Sequence, residues 1–445
     1  MTCFMGNSIY QNNWNRIKDI LEVDDGLRGV LDEDYKSLYV SARNPFILFF
    51  AYVGLAVLYF FVRLFYKLNT RLDTVKDEFV FFSCPDVIFR VRNMPLIASE
   101  CRYSMIFLPT FHLRSAIEYN RYFKQQGVKA VFLMPTICDA FSIVKNRIKY
   151  RKDYSALRLN DHQDLLRLKN QLFTYLVYKS IAERTLGRVD GGKVIFEHQK
   201  FFFIPFVCWY KNRGRKTYLL QHGSFFHPSY NYLPLLCDVV LCCSEREKGH
   251  YLRNGVSDDR VIVFGTPLQS MRPLSSVKEK QPPIFKFLVL LTLVNEENRS
   301  FQSKVLLHLK RTLPADSVLV RLRPRSAASD SQMLASELDG MTISAPGTSL
   351  SDDVDKAECV ITFSEDCVFE LCRSGCRFII ASCSRSIDPL LDGKYCTEDD
   401  YVLKLEEFNA NPDNFLLSRE DRMYLFGDLD TDSLARKFTD FIKHY

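Results

Sequence analysis

The stretch CVITFSEDCVFELCRSGCRFIIAS, Cys359 to Ser382, decides the fold class. An apolar run from Cys359 to Thr362 ends in the polar turn Ser364, Glu365 and Asp366. A short helical stretch centred on Val368 to Arg373 follows, Gly375 stops it, and a second apolar run fills Phe378 to Ala381. Strand, helix and strand in this order are the repeating unit of a parallel sheet with helices packed on it.

The same alternation extends in both directions. Upstream, the second half of the chain predicts strands at Phe287 to Leu291, Ser317 to Leu322 and Met341 to Ser344, with helices centred on Lys304 to Leu313 and Met333 to Leu338. The first half predicts strands at Phe79 to Ser83, Ser104 to Leu108, Lys129 to Met134, Lys193 to Glu197, Thr217 to Gln221, Val239 to Cys243 and Val261 to Phe264. A long helix is predicted after Asn160 and Asp161, with Leu165, Leu168, Leu172 and Leu176 at helical spacing and Gly187 as its stop. Pro267 to Pro283, rich in proline, serine and lysine, reads as a linker between two halves.

The expected architecture is α/β: two doubly wound, Rossmann-like domains facing across a cleft, preceded by an N-terminal membrane helix. The expected boundaries are a polar segment at 1–44, the membrane helix at 45–67, a first domain at 78–268, a second at 284–430, and a terminal helix at 431–445. A chain of 445 residues, 47% hydrophobic and 25% charged, has the size and composition for two or three globular domains.

The membrane helix is read from FILFFAYVGLAVLYFFV, Phe46 to Val62, an uncharged run flanked by Arg43, Arg63 and Lys67. Its length is at the short limit for a span, so spanning and re-entrant insertion both fit it, and its basic ends suit the interfaces. The basic excess on its C-terminal side predicts that the rest of the chain faces the cytoplasm.

Composition excludes other classes. A formal charge of +6, from 59 Lys and Arg against 53 Asp and Glu, lacks the dense basic stripe that tracks a nucleic-acid backbone. The 14 cysteines are scattered, with no cleavable signal peptide and no paired CxxC motifs, which predicts reduced and mostly buried thiols. No metal or other cofactor is called for, and no DxD motif stands at a strand end.

In doubly wound domains ligands sit at the carboxyl ends of the strands, so the polar residues placed there are the candidates. LLQHGSFFHP, Leu219 to Pro228, puts His222 and Gly223 just after a strand; histidine titrates near working pH and suits a general base. Glu197, at another strand end, is the reserve base. Gly265 and Thr266 precede Pro267 at the domain boundary. Arg321, Arg323 and Arg325, in VLVRLRPRS, form a candidate diphosphate clamp, because guanidinium groups bind phosphate oxygens in pairs.

Taken together, these segments resemble bacterial two-domain glycosyltransferases of the GT-B type that build surface polysaccharides, and the related glycerophosphotransferases of teichoic acid synthesis. The resemblance covers residues 190 to 385. It rests on His222 and Gly223 after a strand, on Gly265, Thr266 and Pro267, and on Ser364, Glu370 and Gly375 around the last helix. The chain departs from the pattern with Arg323 and Pro324 in place of a His-Pro pair, and with Glu365 and Asp366 where small hydroxyl residues are usual.

The resemblance implies a nucleotide-sugar donor bound mainly by residues 284 to 430, through the three arginines, Ser364, Thr266 and a Glu370 contact to the ribose. It implies a glycan or lipid-linked acceptor on the first domain, with His222 as base. Two alternatives stay open on the same residues: a phosphotransferase using a cytidine diphosphate polyol, and a catalytically silent membrane-bound partner in polysaccharide assembly.

Overall fold

The computed structural model describes residues 45–70, 77–84, 94–109, 113–141, 175–188, 192–199, 201–221, 235–265, 282–291, 299–322, 332, 334–345, 347–363, 367–382, 389–427 and 431–444. These form two compact units.

The first unit opens with helix α1 (Pro45–Tyr66), which is apolar on all sides up to Arg63 in its last turn. By length and composition α1 can cross a membrane, and only 22% of its Phe49–Tyr66 stretch is buried. Seven parallel strands follow: β1 (Phe79–Ser83), β2 (Tyr103–Phe107), β3 (Lys129–Phe132), β4 (Lys193–Phe196), β5 (Thr217–Leu220), β6 (Val239–Cys242) and β7 (Val261–Val263). Their order in the sheet is β3-β2-β1-β4-β5-β6-β7. Helices α2 (Leu113–Gln125), α3 (175–185) and α4 (Glu245–Arg253) lie between them in the chain.

All of β1 is buried because both sheet faces are covered, as its run FVFFS requires. On one face Phe79 and Phe81 join Met105, Phe107, Tyr119 and Phe123; on the other Phe82 meets Phe196, Phe206 and Tyr210. Gly192 lets β4 enter beside β1, since a Cβ there would sit 1.8 Å from the carbonyl oxygen of Glu78.

The second unit holds β8 (Phe285–Leu290), β9 (Val318–Arg321), β10 (Thr342–Ile343), β11 (Ala357–Thr362), β12 (Arg377–Ala381) and β13 (Tyr395–Cys396), all parallel, in the order β10-β9-β8-β11-β12-β13. Helices α5 (Arg299–Thr312) and α6 (Val368–Ser374) are among its connections. Gly375 closes α6 at φ 60°, a left-handed cap that glycine adopts without steric cost.

Successive residues of β8 point to opposite cores. Phe287 and Val289 pack with Phe301, Val305 and Leu309 of α5, while Leu288 and Leu290 pack with Leu371 and Cys372 of α6.

The last helix, α7 (Thr431–His444), packs in the first unit. Phe438 meets Phe79 edge-on at 5.1 Å and Phe264 at 5.7 Å, and Phe441 meets Tyr218 at 5.1 Å. The cysteines described are not joined in disulfides, and most are buried. The predicted linker, from 267 to 281, and the first part of the long helix predicted before 175 lie outside the described residues.

Candidate functional site at the carboxyl ends of the strands

In the first sheet the chain winds outward in both directions from the β1–β4 pair, which makes that pair the switch point where such folds bind ligands. Glu197 stands there, directly after β4 and 1% exposed. Its Oε1 accepts the backbone N–H of Cys84, directly after β1, at 2.8 Å. The carboxylate therefore ties the two strand ends together across the switch point.

A row of buried polar side chains continues along this edge. Gln199 Oε1 accepts the backbone N–H groups of Leu236 at 2.8 Å and Cys237 at 3.3 Å, which fixes the approach to β6. Gln221, at the end of β5, donates through Nε2 to the Glu247 carboxylate on α4. Ser244 caps α4 by accepting the Glu247 N–H at 3.3 Å. Glu197, Gln199, Gln221 and Glu247 are each 1% exposed or less.

The chain next to His222 is thus anchored by Gln221, one residue before it. His222, Gly223 and Thr266 themselves lie outside the described residues. Gly265 follows β7 with a φ of 116°, in the range that favours glycine. Of this row the sequence reading picked out Glu197 alone as a site residue. Glu247 had a local signal in the Ser244-x-x-Glu247 spacing of a capping box. Gln199 had none, because its partners come from a segment 37 residues away.

In the second sheet the corresponding switch point is the β8–β11 pair. Arg321 ends β9, and its guanidinium is taken up inside the unit. It contacts the Asp353 carboxylate, donates to the Thr348 carbonyl at 2.9 Å, and lies 3.4 Å from Ser344 Oγ. Ser344 Oγ also donates to Asp353 at 2.6 Å. With the Arg321 side chain 19% exposed and that of Asp353 2%, the pair ties the end of β9 to the segment between β10 and β11.

Glu370 falls within α6, one turn into the helix that follows β11. Arg323, Arg325 and Ser364 lie outside the described residues, so of the predicted clamp the structure describes Arg321 alone.

One more polar knot lies at the end of β3. Asp139, 1% exposed, accepts the N–H and hydroxyl of Thr136 at 2.8 Å each, the Ser180 hydroxyl at 2.8 Å, and Arg184 Nη2 at 2.8 Å. Arg184 Nη2 also donates to the Met134 carbonyl at 2.6 Å. The knot holds α3 against the loop after β3.

No family model and no curated protein sequence matches this chain. Solved structures do match its fold. The UDP-GlcNAc 2-epimerase of Neisseria meningitidis, determined with UDP-GlcNAc bound, aligns with a TM-score of 0.53 at 11% identity, covering 82% of this chain and 99% of that one. A putative UDP-N-acetylglucosamine 2-epimerase from Listeria monocytogenes aligns at 0.51 and 10% identity, covering 83% and 96%. A glycosyltransferase from Rickettsia africae aligns at 0.50 and 10% identity, covering 82% and 97%. At these identities the likeness concerns the fold: the chain has the two parallel-sheet α/β domains of the GT-B type.

Proposed function

We propose that this protein is a membrane-attached glycosyltransferase that moves a sugar from a nucleotide-sugar donor to the hydroxyl of a lipid-linked or glycan acceptor in surface polysaccharide synthesis. The observation that carries the reading is the fold likeness, over 82% of the chain, to a protein determined with a nucleotide sugar bound. The motif positions His222, Gly265, Thr266, Ser364 and Glu370, and the apolar helix α1, add to it.

In this reading the donor lies at the carboxyl ends of the second sheet. Glu370 accepts from its ribose, and the backbone at Ser364 meets its phosphates. Arg321 keeps the strand end in place through Asp353, while Arg323 and Arg325 offset the charge that grows on the leaving diphosphate.

His222 takes the proton of the acceptor hydroxyl as that oxygen bonds to the sugar C1 and the bond from C1 to the phosphate oxygen breaks. Glu197 is the second candidate for that proton. Its tie to Cys84 makes it the better group for fixing the two strand ends at the switch point.

A second reading, epimerisation of the nucleotide sugar itself, is favoured by the names of two of the fold neighbours. That reaction needs no acceptor and gives α1 no task. The two separate in one assay with detergent-solubilised protein, nucleotide sugars and acceptor lipid extract. Transfer releases nucleoside diphosphate only when acceptor is present; epimerisation changes the sugar without it.

His222→Ala is expected to bind donor normally, by thermal shift, and to lose about 10²–10⁴-fold in turnover. Full turnover in that variant moves the base to Glu197, and Glu197→Gln then carries the loss. Absence of any nucleotide-dependent thermal shift rejects both enzymatic readings in favour of a silent assembly partner.

A further inference from the structure

Up to Arg63 in its last turn, helix α1 is apolar on every side, which in a stable protein requires an apolar medium on every side. The first unit supplies one side. Tyr52, Leu55, Ala56 and Tyr59 are buried, at the spacing of a single helix face. Contacts run the length of the helix: Phe49 on Phe141 at 5.5 Å, Tyr52 on Tyr178 at 6.4 Å, Val62 against the sheet core, and the Tyr66 carbonyl accepting from Asn120 at 3.4 Å.

The opposite side is bare. Phe50, Leu64 and Phe65 are 68%, 58% and 76% exposed, and Val57 and Phe61, 42% and 49% exposed, stand between this side and the rim of a pocket. Exposed Arg63 and Lys67 lie at its C-terminal end, where they can meet anionic lipid head groups.

A helix held along its length by a folded domain cannot cross a bilayer without carrying that domain's edge into the hydrocarbon. Here that edge includes Arg184 of α3, which lines one pocket with Phe60 and Phe61 of α1, and burying such a charge in lipid is costly. Lying in the interface satisfies both faces at once.

Against this helix the first unit has a pocket of 520 Å³. Phe60, Phe61 and Arg63 of α1 form one wall, Met134 and Ile137 after β3 another, and Arg184 sits at its border. The pocket thus opens at the carboxyl end of a sheet strand, between apolar walls, with one guanidinium engaged by Asp139 and the other exposed.

We propose that α1 lies in the plane of a membrane surface, not across it, and that the pocket it walls takes the hydrocarbon chain of a phosphate-bearing lipid from that membrane, with Arg63 on the phosphate. The proposal deepens the acceptor side of the function above and rests on that reading only in identifying the lipid as acceptor.

The test uses the full chain on phosphatidylcholine–phosphatidylglycerol vesicles containing lipids brominated at shallow or deep chain positions. Tryptophan reporters are placed by Phe50→Trp, Val57→Trp and Leu64→Trp, and the parent protein supplies the background. An in-plane helix gives the same quenching profile at all three positions, strongest with shallow bromines. A profile that is deep at Val57 and shallow at the ends means a spanning helix and overturns the proposal, as does the absence of quenching at all three.

For the pocket, an Ile137→Trp reporter is titrated with a brominated long-chain alkyl phosphate. Saturable quenching, competed by dodecyl phosphate but not by inorganic phosphate, and weakened about tenfold by Arg63→Gln, is the expected result. Competition by inorganic phosphate, or no saturable quenching in protein that still binds vesicles, overturns the pocket assignment. Neither readout uses donor or turnover, so failure here is separate from failure of the transferase reading.

Discussion

The two sheets are wound in the same order and filled with different side chains. In the first, aromatic rings stack from strand to strand: Phe79 on Tyr103 at 4.8 Å, Phe82 on Phe196 at 4.8 Å, and Phe107 on Phe132 at 4.9 Å. In the second, β8, β11 and β12 supply Leu288, Val289, Val360, Ile361, Ile379 and Ile380. Winding therefore follows from the alternation of apolar strands with helices and is indifferent to which apolar residues are used.

The carboxyl edges differ in kind as well. The first sheet ends in a buried row of carboxylates and amides, and the second described edge is organised by the Arg321–Asp353 pair.

The largest expected effect tests whether the aromatic filling has energetic weight. Phe107 touches Tyr119, Phe123 and Phe132 at centroid distances of 4.9–5.6 Å. Phe107→Ala should cost about 3–5 kcal/mol, and Leu288→Ala in the second sheet should fall toward the lower end of its range of about 2–5 kcal/mol. Equal losses in chemical denaturation would leave the two cores energetically alike.

Asp353→Asn comes next. It keeps the shape but removes the charge that Arg321 faces, and a loss of about 1.5–3 kcal/mol is expected. A variant with unchanged stability but weaker nucleotide binding would make Arg321 a ligand group, and the contrast between the two edges would then be one of binding alone.

The smallest effect concerns pH. Burial, aided by Arg253 and Arg246, holds His250 of the first unit below its ordinary pKa. The unfolded chain then binds the proton more readily, so stability is full above the ordinary histidine value of about 6.5 and falls as pH drops through it towards the folded value. Lys394 of the second unit is also lowered by burial, but from 10.5. Thermal melts at about pH 7.5 and about pH 5.5 should differ more in the native protein than in His250→Gln. An equal difference would remove the contrast in acid sensitivity.

Most strands were legible to within a residue or two, because strands buried on both faces leave continuous apolar runs such as FVFFS and VVLC. β13 escaped because Tyr395 and Cys396 stand between Gly393-Lys394 and Thr397-Glu398, with no apolar run around them. The predicted start of β8 was late because Phe285 and Lys286 pair at the sheet rim, where burial is partial.

At the candidate site, Glu197 was readable from its place after an apolar run. The knot of Asp139 with Thr136, Ser180 and Arg184 was not, since Arg184 reaches Asp139 from 45 residues away. The lone arginine that the structure describes from the predicted clamp shows the converse. Local spacing grouped it with Arg323 and Arg325, while a partner 32 residues later engages its guanidinium.

The chain's residue order was enough to establish parallel α/β units, an apolar helix near the start and the strand ends where chemistry is to be sought. Each of these rests on periodicity, turn residues and length, which act between near neighbours. Folding settled what depends on partners distant in sequence. It chose the face of α1 that the protein covers, placed Glu197 across the switch point from Cys84, and returned the last helix to the first sheet. Burial and hydrogen bonding are satisfied in three dimensions, and a buried polar group takes whichever donor or acceptor the packing brings to it.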